Sequence, residues 1–366
     1  MKNKLRTLLT FILAFVFVFG FTLWSVAMPD KELSEAERRP LKQFPSISLN
    51  AIENRTFMTE FETYTLEQFP LRDEFRGLKS FTALKVLRQK DNNDLFLAEN
   101  HIFKVDYPTS TDSAVRAAKI FSDINGKYLK DSDNVYLSVI PDKNYYISDK
   151  KGKLLLDYDL LINTLKDNCD FAEYIDISGL LTLDDFYRTD SHWKQENITD
   201  VADKLLDSMN AEYVDGESLI VNANKEFYGV YHGQLGLKIP PDEIKYLVNE
   251  PISNARVFNY ETQKQEEIYN LDKLNGNDPY ELYLSGPVSL LSIENNLNKS
   301  GKKLIVFRDS FTSSIAPLLL KGYSKITLVD IRYLSSNTLG NYIDFENKDI
   351  LFLYSTSVIN NSVTLK

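Results

Sequence analysis

The N-terminal apolar run constrains this chain more than any other part of its sequence. No charged residue occurs from Thr7 to Pro29, and the apolar core Leu8–Ala27 is about 20 residues long, which is enough for a helix to cross a membrane. Three basic residues precede the run and acid-rich sequence follows it: Lys2, Lys4 and Arg6, then Asp30, Glu32, Glu35 and Glu37. Because basic flanks stay in the cytoplasm, the sequence predicts a membrane-spanning helix that holds the rest of the chain outside.

The same run has a second interpretation, a signal peptide that is removed. Ser25-Val26-Ala27 supplies the small residues that precede a cleavage site. The length of the run favours an uncleaved anchor, whereas cleavage would release a secreted protein. Both interpretations place the working domain outside the cytoplasmic membrane.

Composition limits the chemistry that the chain can carry. With 366 residues, 43 % apolar and 26 % charged, it has the balance of a globular protein. Its net charge of -10 argues against a nucleic-acid partner. A single cysteine, Cys169, allows no internal disulfide, and we expect it to be a small buried residue on a helix. Three scattered histidines (His101, His192 and His232) make a metal site a poor interpretation, and we expect no cofactor.

The region after the apolar run divides into three predicted parts. Residues 1–28 form the anchor or signal peptide, residues 29–94 a stalk with amphipathic helices, and residues 95–366 a catalytic domain. The stalk is polar up to residue 56, and from Phe57 to Leu87 the apolar spacing becomes helical. Leu95–Val105 is predicted to be a short hairpin that turns near Glu99 and Asn100.

The catalytic region alternates strand and helix patterns, which predicts an α/β fold with a mostly parallel sheet. Residues 211–285 interrupt the alternation and are predicted to be a β-rich insertion. The predicted strands are Val135–Ile140, Tyr174–Ile177, Leu304–Phe307, Ile326–Asp330 and Ile350–Tyr354, and the predicted helices are Asp157–Asn168, His192–Met209 and Phe311–Lys321.

His192 is the histidine whose surroundings suggest chemistry. It follows Asp190 by two residues, so the carboxylate can bond one ring nitrogen, fix the tautomer and leave the other nitrogen free to accept a proton. The structural alternative is that Asp190 or Ser191 caps the helix predicted to start here, with Trp193 packed beneath it. The two interpretations are compatible.

Ser310 is the candidate nucleophile that would use this base. The apolar strand 303–307 runs into Arg308-Asp309-Ser310-Phe311 and then a helix, which places the serine on a strand-to-helix turn at the C-terminal edge of the sheet. The backbone N–H at such a turn can help to hold an oxyanion. The structural alternative is again a helix cap, by Asp309 or Ser310.

Together these motifs resemble a known family. Thr189-Asp190-Ser191-His192-Trp193, with Asp309-Ser310-Phe311 about 120 residues later, resembles the DHHW family and the related SGNH-hydrolase-like domains of alginate O-acetylation proteins. Further segments share the likeness: Glu67–Asp73, Ile140–Lys143, Phe227–Gly229 and Tyr283–Gly286. The resemblance implies a three-layer α/β/α SGNH-hydrolase-like domain with Asp190, His192 and Ser310 as its triad. This chain departs from the pattern at Ser191, where the signature has histidine, and at Arg308, where simple esterases have glycine.

Four other residues are candidates for oxyanion or substrate binding. Gly286, expected after an apolar strand, could bring a second N–H to the oxyanion. Arg332 could reach the same edge of the sheet, although an ion pair is the alternative. Tyr228 and His232 belong to an aromatic loop of the kind on which sugars stack, and this loop could equally be packed core.

The function that these features predict is an extracytoplasmic serine acyltransferase that O-acetylates an exported or cell-wall polysaccharide. The resemblance implies a membrane-bound O-acyltransferase partner as acyl donor and a polysaccharide as acceptor. Two alternatives remain open: a carbohydrate esterase with the same triad, and a non-catalytic envelope protein that binds polysaccharide. The sequence does not distinguish transfer from hydrolysis, because that depends on whether the site excludes water.

Overall fold

The computed structural model describes residues 2–34, 36–130, 132, 134–213 and 216–366, without the side chains of residues 2 and 3. Glu35 of the predicted acidic flank and residues 214–215 of the predicted insertion lie outside the described residues. The chain divides into two compact units. The first comprises residues up to Asn92 together with His232–Lys238, and the second comprises Asn93–Tyr231 and Ile239–Lys366. The boundaries predicted at residues 28 and 94 stay predictions.

The first unit is mainly helical. Its elements are α1 (Lys2–Ala27), β1 (Leu33–Ser34), β2 (Arg39–Pro40), α2 (Leu49–Glu53), α3 (Thr56–Glu67) and α4 (Arg72–Phe81), which continues into a π-helical turn, Thr82–Val86. Within the described residues, α1 is the one helix long and apolar enough to cross a membrane, and none of the residues of its apolar span is buried. An exposed N-terminal apolar helix is consistent with a signal anchor or a signal peptide.

The second unit is built on one mixed sheet. Its strands are β3 (Leu95–Ala98), β4 (His101–Lys104), β5 (Asn134–Ile140), β6 (Glu173–Tyr174), β7 (Leu219–Phe227), β8 (Asp242–Val248), β9 (Arg256–Asn259), β10 (Lys264–Glu266), β11 (Leu290–Glu294), β12 (Lys303–Arg308), β13 (Lys325–Val329) and β14 (Asp349–Ser355). The central sheet has the order β10-β9-β11-β13-β12-β14-β5-β6. The pairs from β13 to β6 are parallel, and the pairs from β10 to β13 are antiparallel. The predicted parallel arrangement of β5 and β12 in one sheet is confirmed.

Helices cover both faces of this sheet. They are α5 (Thr111–Tyr128), α6 (Tyr158–Asp167), α7 (Thr199–Ser208), α9 (Glu250–Ser253), α10 (Thr312–Leu319) and α11 (Thr356–Asn360), whereas α8 (Val230–Leu235) falls mostly in the His232–Lys238 segment of the first unit. Along β12, Leu304 and Val306 join the core under α7 and α10, whereas Ile305 and Phe307 join the core under α5 and α6. This alternation is the period of two that a strand imposes, so the unit has three layers.

Two sequence predictions need correction here. The helix expected over His192–Met209 begins only at Thr199, because residues 185–194 form a hairpin in which Phe186 pairs with Trp193. Backbone bonds join Tyr187 N–H to the His192 carbonyl (3.0 Å) and Lys194 N–H to the Asp185 carbonyl (2.7 Å). The cap interpretation of Asp190 and Ser191 is therefore wrong. In addition, β9 and β10, which fall inside the predicted insertion, extend the central sheet.

Cys169 is buried, as expected, although it lies just after α6 and not within a helix. Burial raises the pKa of its thiol to about 12. A cysteine in this state is a neutral packing residue and not a nucleophile.

Candidate active site

The 185–194 hairpin presents Asp190 and His192 at the C-terminal edge of the parallel strands, where β12 ends and Ser310 follows. His192 Nε2 lies 2.8 Å from Ser310 Oγ, and His192 Nδ1 lies 2.6 Å from Asp190 Oδ1. The two segments are 118 residues apart in sequence. A carboxylate, an imidazole and a hydroxyl joined in this order form the arrangement that lets the imidazole take the hydroxyl proton.

Asp190 is held on both of its oxygens. Besides the imidazole, Oδ1 accepts the backbone N–H of His192 at 3.1 Å, and Oδ2 accepts the backbone N–H of Val230 at 2.9 Å. This second bond depends on Gly229, since a Cβ there would lie 2.4 Å from both Asp190 Cβ and the Thr189 carbonyl oxygen. Only glycine lets the Tyr228–Val230 backbone approach the carboxylate so closely.

A buried lysine, Lys143, holds the hairpin by hydrogen bonds to its backbone carbonyls. Lys143 Nζ donates to the backbone carbonyls of Tyr187 (3.0 Å), Arg188 (3.3 Å) and Asp190 (2.7 Å). Burial lowers the pKa of this amine to about 7, although the charges of Asp190 and Asp242 act in the opposite direction. Because the three carbonyls all lie in the turn that carries Asp190, Lys143 fixes the position of the carboxylate without touching it.

Asp242 holds the other side of the same turn. Its carboxylate accepts the backbone N–H groups of Arg188 (3.0 Å) and Thr189 (2.9 Å), and also the Thr189 hydroxyl (2.6 Å). Thr189 Oγ1 in turn accepts the N–H of Gly229 at 2.9 Å. The turn is thus bonded by its carbonyls to Lys143 and by its N–H groups to Asp242, which leaves little freedom for Asp190.

Aromatic rings fix the plane of the imidazole. The ring of Tyr280 stacks on His192 with centroids 3.9 Å apart and planes 13° from parallel, and Phe311 lies 4.9 Å away. Tyr280 is itself fixed, because its hydroxyl is hydrogen-bonded to Ser314 Oγ at 3.0 Å. The indole N–H of Trp193 donates to the same Ser314 oxygen at 2.8 Å. The base is therefore held by packing as well as by hydrogen bonds.

Ser310 lies on the turn between β12 and α10, as predicted. Asp309, next to it, is buried and accepts the N–H groups of Phe311 (3.0 Å) and Ser355 (2.7 Å), which ties the turn to the end of β14. Arg308 is buried too, and its guanidinium donates to Ser313 Oγ (2.7 Å) and to the Val288 carbonyl (2.8 Å). At the position where simple esterases have glycine, this chain thus has an arginine that braces the start of α10.

Comparison with known proteins identifies this architecture. No protein-family model matches the sequence, and no curated protein matches it. Among solved structures, a DHHW family protein from Eubacterium siraeum aligns over 75% of this chain and 97% of its own, with a TM-score of 0.59 and 17% identity. PatB1 from Bacillus cereus, solved with a sulfonyl adduct, aligns over 72% of this chain and 95% of its own, with a TM-score of 0.55 and 14% identity.

The fold is SGNH-hydrolase-like. At these identities the likeness establishes the fold alone, and it confirms at that level the resemblance predicted from the motifs. The O-acetyltransferase domain of Pseudomonas putida AlgJ also aligns, over 74% of this chain and 93% of its own, with a TM-score of 0.44 and 9% identity.

The four supporting candidates each have their own local contacts. Gly286 follows a 3₁₀ turn, Pro279–Leu282, and precedes β11, so the expectation that it follows an apolar strand is wrong. Leu284, Ser285 and Gly286 all have positive φ, because the chain reverses here, and the Gly286 N–H bonds the Tyr283 carbonyl at 3.3 Å. Arg332 forms the alternative ion pair, with its Nη2 2.6 Å from Oδ2 of the fully buried Asp330.

The two aromatic-loop candidates are found in different surroundings. Tyr228 is 40% exposed, and its hydroxyl lies 3.4 Å from Glu226. His232 belongs to the first compact unit, where burial and the charge of Arg38 lower its pKa. His101 lies at the start of β4, with Nδ1 2.9 Å from the Glu99 carbonyl, and is buried.

Sequence reasoning did not identify Lys143, Asp242 or Tyr280 as residues of the candidate site. Lys143 had a signal, because it lies two residues after the Pro141 that ends β5, at the edge where sites form. Tyr280 follows Asp278 and Pro279, which start a helical turn, but nothing in that pattern indicates a ring stacked on the base. Across the described residues, no group of three or more metal-ligating side chains occurs.

Proposed function

We propose that this protein is an extracytoplasmic serine O-acyltransferase that acetylates a cell-envelope or exported polysaccharide. The observation that carries the proposal is the continuous chain Asp190–His192–Ser310, with contacts of 2.6 and 2.8 Å. The resemblance of the two triad segments to DHHW and alginate O-acetylation proteins supports the acyl group and the acceptor class.

The reaction takes place in two balanced steps. Ser310 Oγ attacks the carbonyl carbon of the acyl donor while its proton moves to His192 Nε2, and the donor's leaving group departs with that proton. The product is an acyl-serine. A sugar hydroxyl then gives its proton to His192 and attacks the acyl carbon, and Ser310 Oγ leaves as it recovers the proton. Asp190 keeps the hydrogen of the neutral ring on Nδ1 and stabilises the imidazolium between the transfers.

The donor and the location follow from the N-terminal helix and the resemblance. We propose that α1 remains as an anchor, so that the SGNH-like domain stays beside the membrane, where a membrane-bound O-acyltransferase partner can deliver the acyl group. No cofactor is required by either step.

A carbohydrate esterase would use the same residues with water as the acceptor, so only the fate of the acyl-serine separates the two functions. The test supplies 4-nitrophenyl acetate as donor and a panel of envelope oligosaccharides as acceptors to the full chain in detergent. Release of nitrophenol counts all turnover, and mass measurement of the sugar counts transfer.

An acyltransferase gives acetylated sugar in proportion to acceptor and a nitrophenol rate that rises with acceptor. An esterase gives acetate alone whatever acceptor is present. A polysaccharide-binding protein without activity shows neither product, and binding would survive in Ser310→Ala. Loss of both products in Ser310→Ala, with the protein folded, ties the turnover to this site.

A further inference from the structure

An ordinary amphipathic helix packs its apolar face against the protein and exposes its polar face, whereas helix α4 does the reverse. The face of α4 that packs against the protein is polar. Arg76 donates to the carbonyls of Gly233 (3.0 Å) and Gln234 (3.1 Å), and Ser80, which is buried, donates to the carbonyl of Leu235. Gly77 permits this approach, because a Cβ there would lie 2.6 Å from the carbonyl oxygen of Gly236.

The outward face of α4 is apolar. Leu71, Phe75 and Leu78 follow the i, i+4, i+7 spacing of one helix face and are 42%, 37% and 58% exposed. Phe81 (51%), Val86 (61%) and Leu87 (62%) extend the exposed apolar surface through the π-helical turn. We call these six residues the α4 apolar face. A water-soluble unit buries such a face, so this one needs an apolar surrounding.

The α4 apolar face is continuous with α1. The ring of Phe21 on α1 stacks on Phe69, with centroids 5.4 Å apart, and contacts Phe75 edge-on at 5.8 Å. Phe21 precedes the end of the apolar span at Ala27 by six residues, or about 9 Å of helix. If α1 spans the membrane, Phe75 lies about as deep as an interfacial helix buries its apolar face, roughly 5–10 Å.

The charge of the same segment suits a membrane surface. From Arg72 to Lys90 the chain has six basic residues and two acidic ones, although the whole chain has a net charge of -10. Two of the six, Arg72 and Arg76, pair with Glu37. Lys85, Arg88 and Lys90, which follow the helix, are exposed. An apolar stripe beside basic residues is the pattern of a helix that lies in the interface of an anionic membrane.

From these observations we infer that α4 and its π-helical turn lie in the headgroup–acyl boundary of the outer leaflet, with the α4 apolar face toward the acyl chains and the basic residues against anionic headgroups. This contact is additional to the crossing of the membrane by α1. It would hold the first unit flat against the surface and limit how far that unit can tilt on its anchor.

A probe at two positions of one helix tests this inference. The full chain, with Cys169→Ser to leave no other thiol, is reconstituted as single copies in nanodiscs of phosphatidylglycerol and phosphatidylcholine. Leu78→Cys and Asp73→Cys each receive an environment-sensitive fluorophore. Asp73 is the matched control, because its side chain is 52% exposed on a different side of α4.

The inference predicts that lipids carrying a shallow nitroxide quench the probe at 78 several-fold more than the probe at 73, and that iodide in the water quenches the probe at 73 more. Removing phosphatidylglycerol should weaken the lipid quenching at 78. Leu78→Glu with Leu87→Glu should melt like the parent protein, since both side chains are more than half exposed, and a probe at Val86→Cys should then lose lipid quenching.

Equal iodide access and equal weak lipid quenching at 78 and 73 would overturn the inference. If the probe at 78 is shielded from lipid nitroxide and iodide alike, protein covers the face and the lipid assignment is wrong. Neither result depends on acyl transfer, so the test stands apart from the proposed function.

Discussion

At the scale of single residues, Asp190 is the side chain on which the geometry of the candidate site most depends. Oδ1 is hydrogen-bonded to the imidazole and Oδ2 accepts the Val230 N–H, so the carboxylate links the hairpin to the Tyr228–Val230 backbone. Since the helix begins only at Thr199, Asp190 has no cap role that a substitution would remove. Its replacement should therefore change chemistry far more than stability.

Asp190→Asn is expected to lower kcat for acyl transfer by about 10⁴-fold, because an amide N–H facing Nδ1 selects the wrong tautomer of His192. Its melting temperature should change little. Asp185→Asn is the matched control, since Asp185 lies in the same hairpin but bonds Thr182. Kinetics and thermal melts of both variants check this, and a kcat within a few-fold of the parent's in Asp190→Asn would show that another group orients the base.

Asp142 gives a prediction about pH. Burial raises the pKa of its carboxyl to about 6, from an ordinary value of 3.8, despite hydrogen bonds from Tyr158 and the Asn144 N–H. Between these two values the folded protein binds more protons than the unfolded chain, so the contribution of Asp142 to stability falls as the pH rises from about 4 to 6. The fall amounts to at most about 3 kcal/mol.

Asp142→Asn should remove this contribution, because the amide does not titrate. Urea unfolding of parent and variant at intervals from pH 4 to 7 measures it. The difference in unfolding free energy, variant minus parent, should grow as the pH rises through that window. A difference that is constant with pH would mean that the carboxyl titrates normally.

At the scale of elements, the 185–194 hairpin is the part that sequence reasoning handled least well. The parallel strands β5, β12 and β14 could be predicted, because each is a nearly continuous apolar run buried on both faces. The hairpin could not, because its turn is held by Lys143 and Asp242, which lie far from it in sequence. A lysine in a sequence is ordinarily solvated, so nothing marked Lys143 as buried.

Two other elements show the same limit. The helix α5 is absent from the predicted elements, since the face that it buries is mainly small: Ala114, Ala117 and Ala118. The order of the triad segments and the strand-to-helix turn at Ser310 were predictable, because they depend on local spacing. Tyr280 was not, because its stacking on His192 is a tertiary contact.

Lys143→Met tests the role assigned to the buried lysine. Methionine keeps the length and volume but leaves three buried carbonyls without their donor, which should destabilise the protein by about 2–4 kcal/mol. Acyl transfer by the folded fraction should also fall, because the turn that carries Asp190 loosens. Lys194→Met is the matched control, since its Nζ bonds one carbonyl, that of Asp184, at an exposed position.

Urea unfolding and kcat at saturating donor compare the two lysine variants. The control should stay within about 0.5 kcal/mol of the parent. If Lys143→Met and Lys194→Met change the unfolding free energy and kcat equally, Lys143 does not position the turn that carries Asp190.

At the scale of the whole molecule, the chain combines an exposed apolar helix with a separately packed SGNH-like unit. We predict that the protein stays in the membrane fraction after alkaline extraction and that protease added outside cells digests it. The reason is the apolar run Leu8–Ala27 behind basic residues, within a helix long enough to cross the membrane. Recovery in the medium with an N-terminus near Met28 would replace the anchor by a cleaved signal peptide.

In the proposed reaction Ser310 carries the acyl group, and this acyl-serine can be detected in the mass of the intact protein. The full chain is mixed with 4-nitrophenyl acetate without acceptor, quenched in acid within seconds and weighed, and the modified peptide is then sequenced. We expect one added acetyl group on Ser310, none in Ser310→Ala, and loss of the group when an acceptor sugar is added before the quench. An acetyl group on any other residue, or an unmodified parent protein that still turns over the ester, would contradict it.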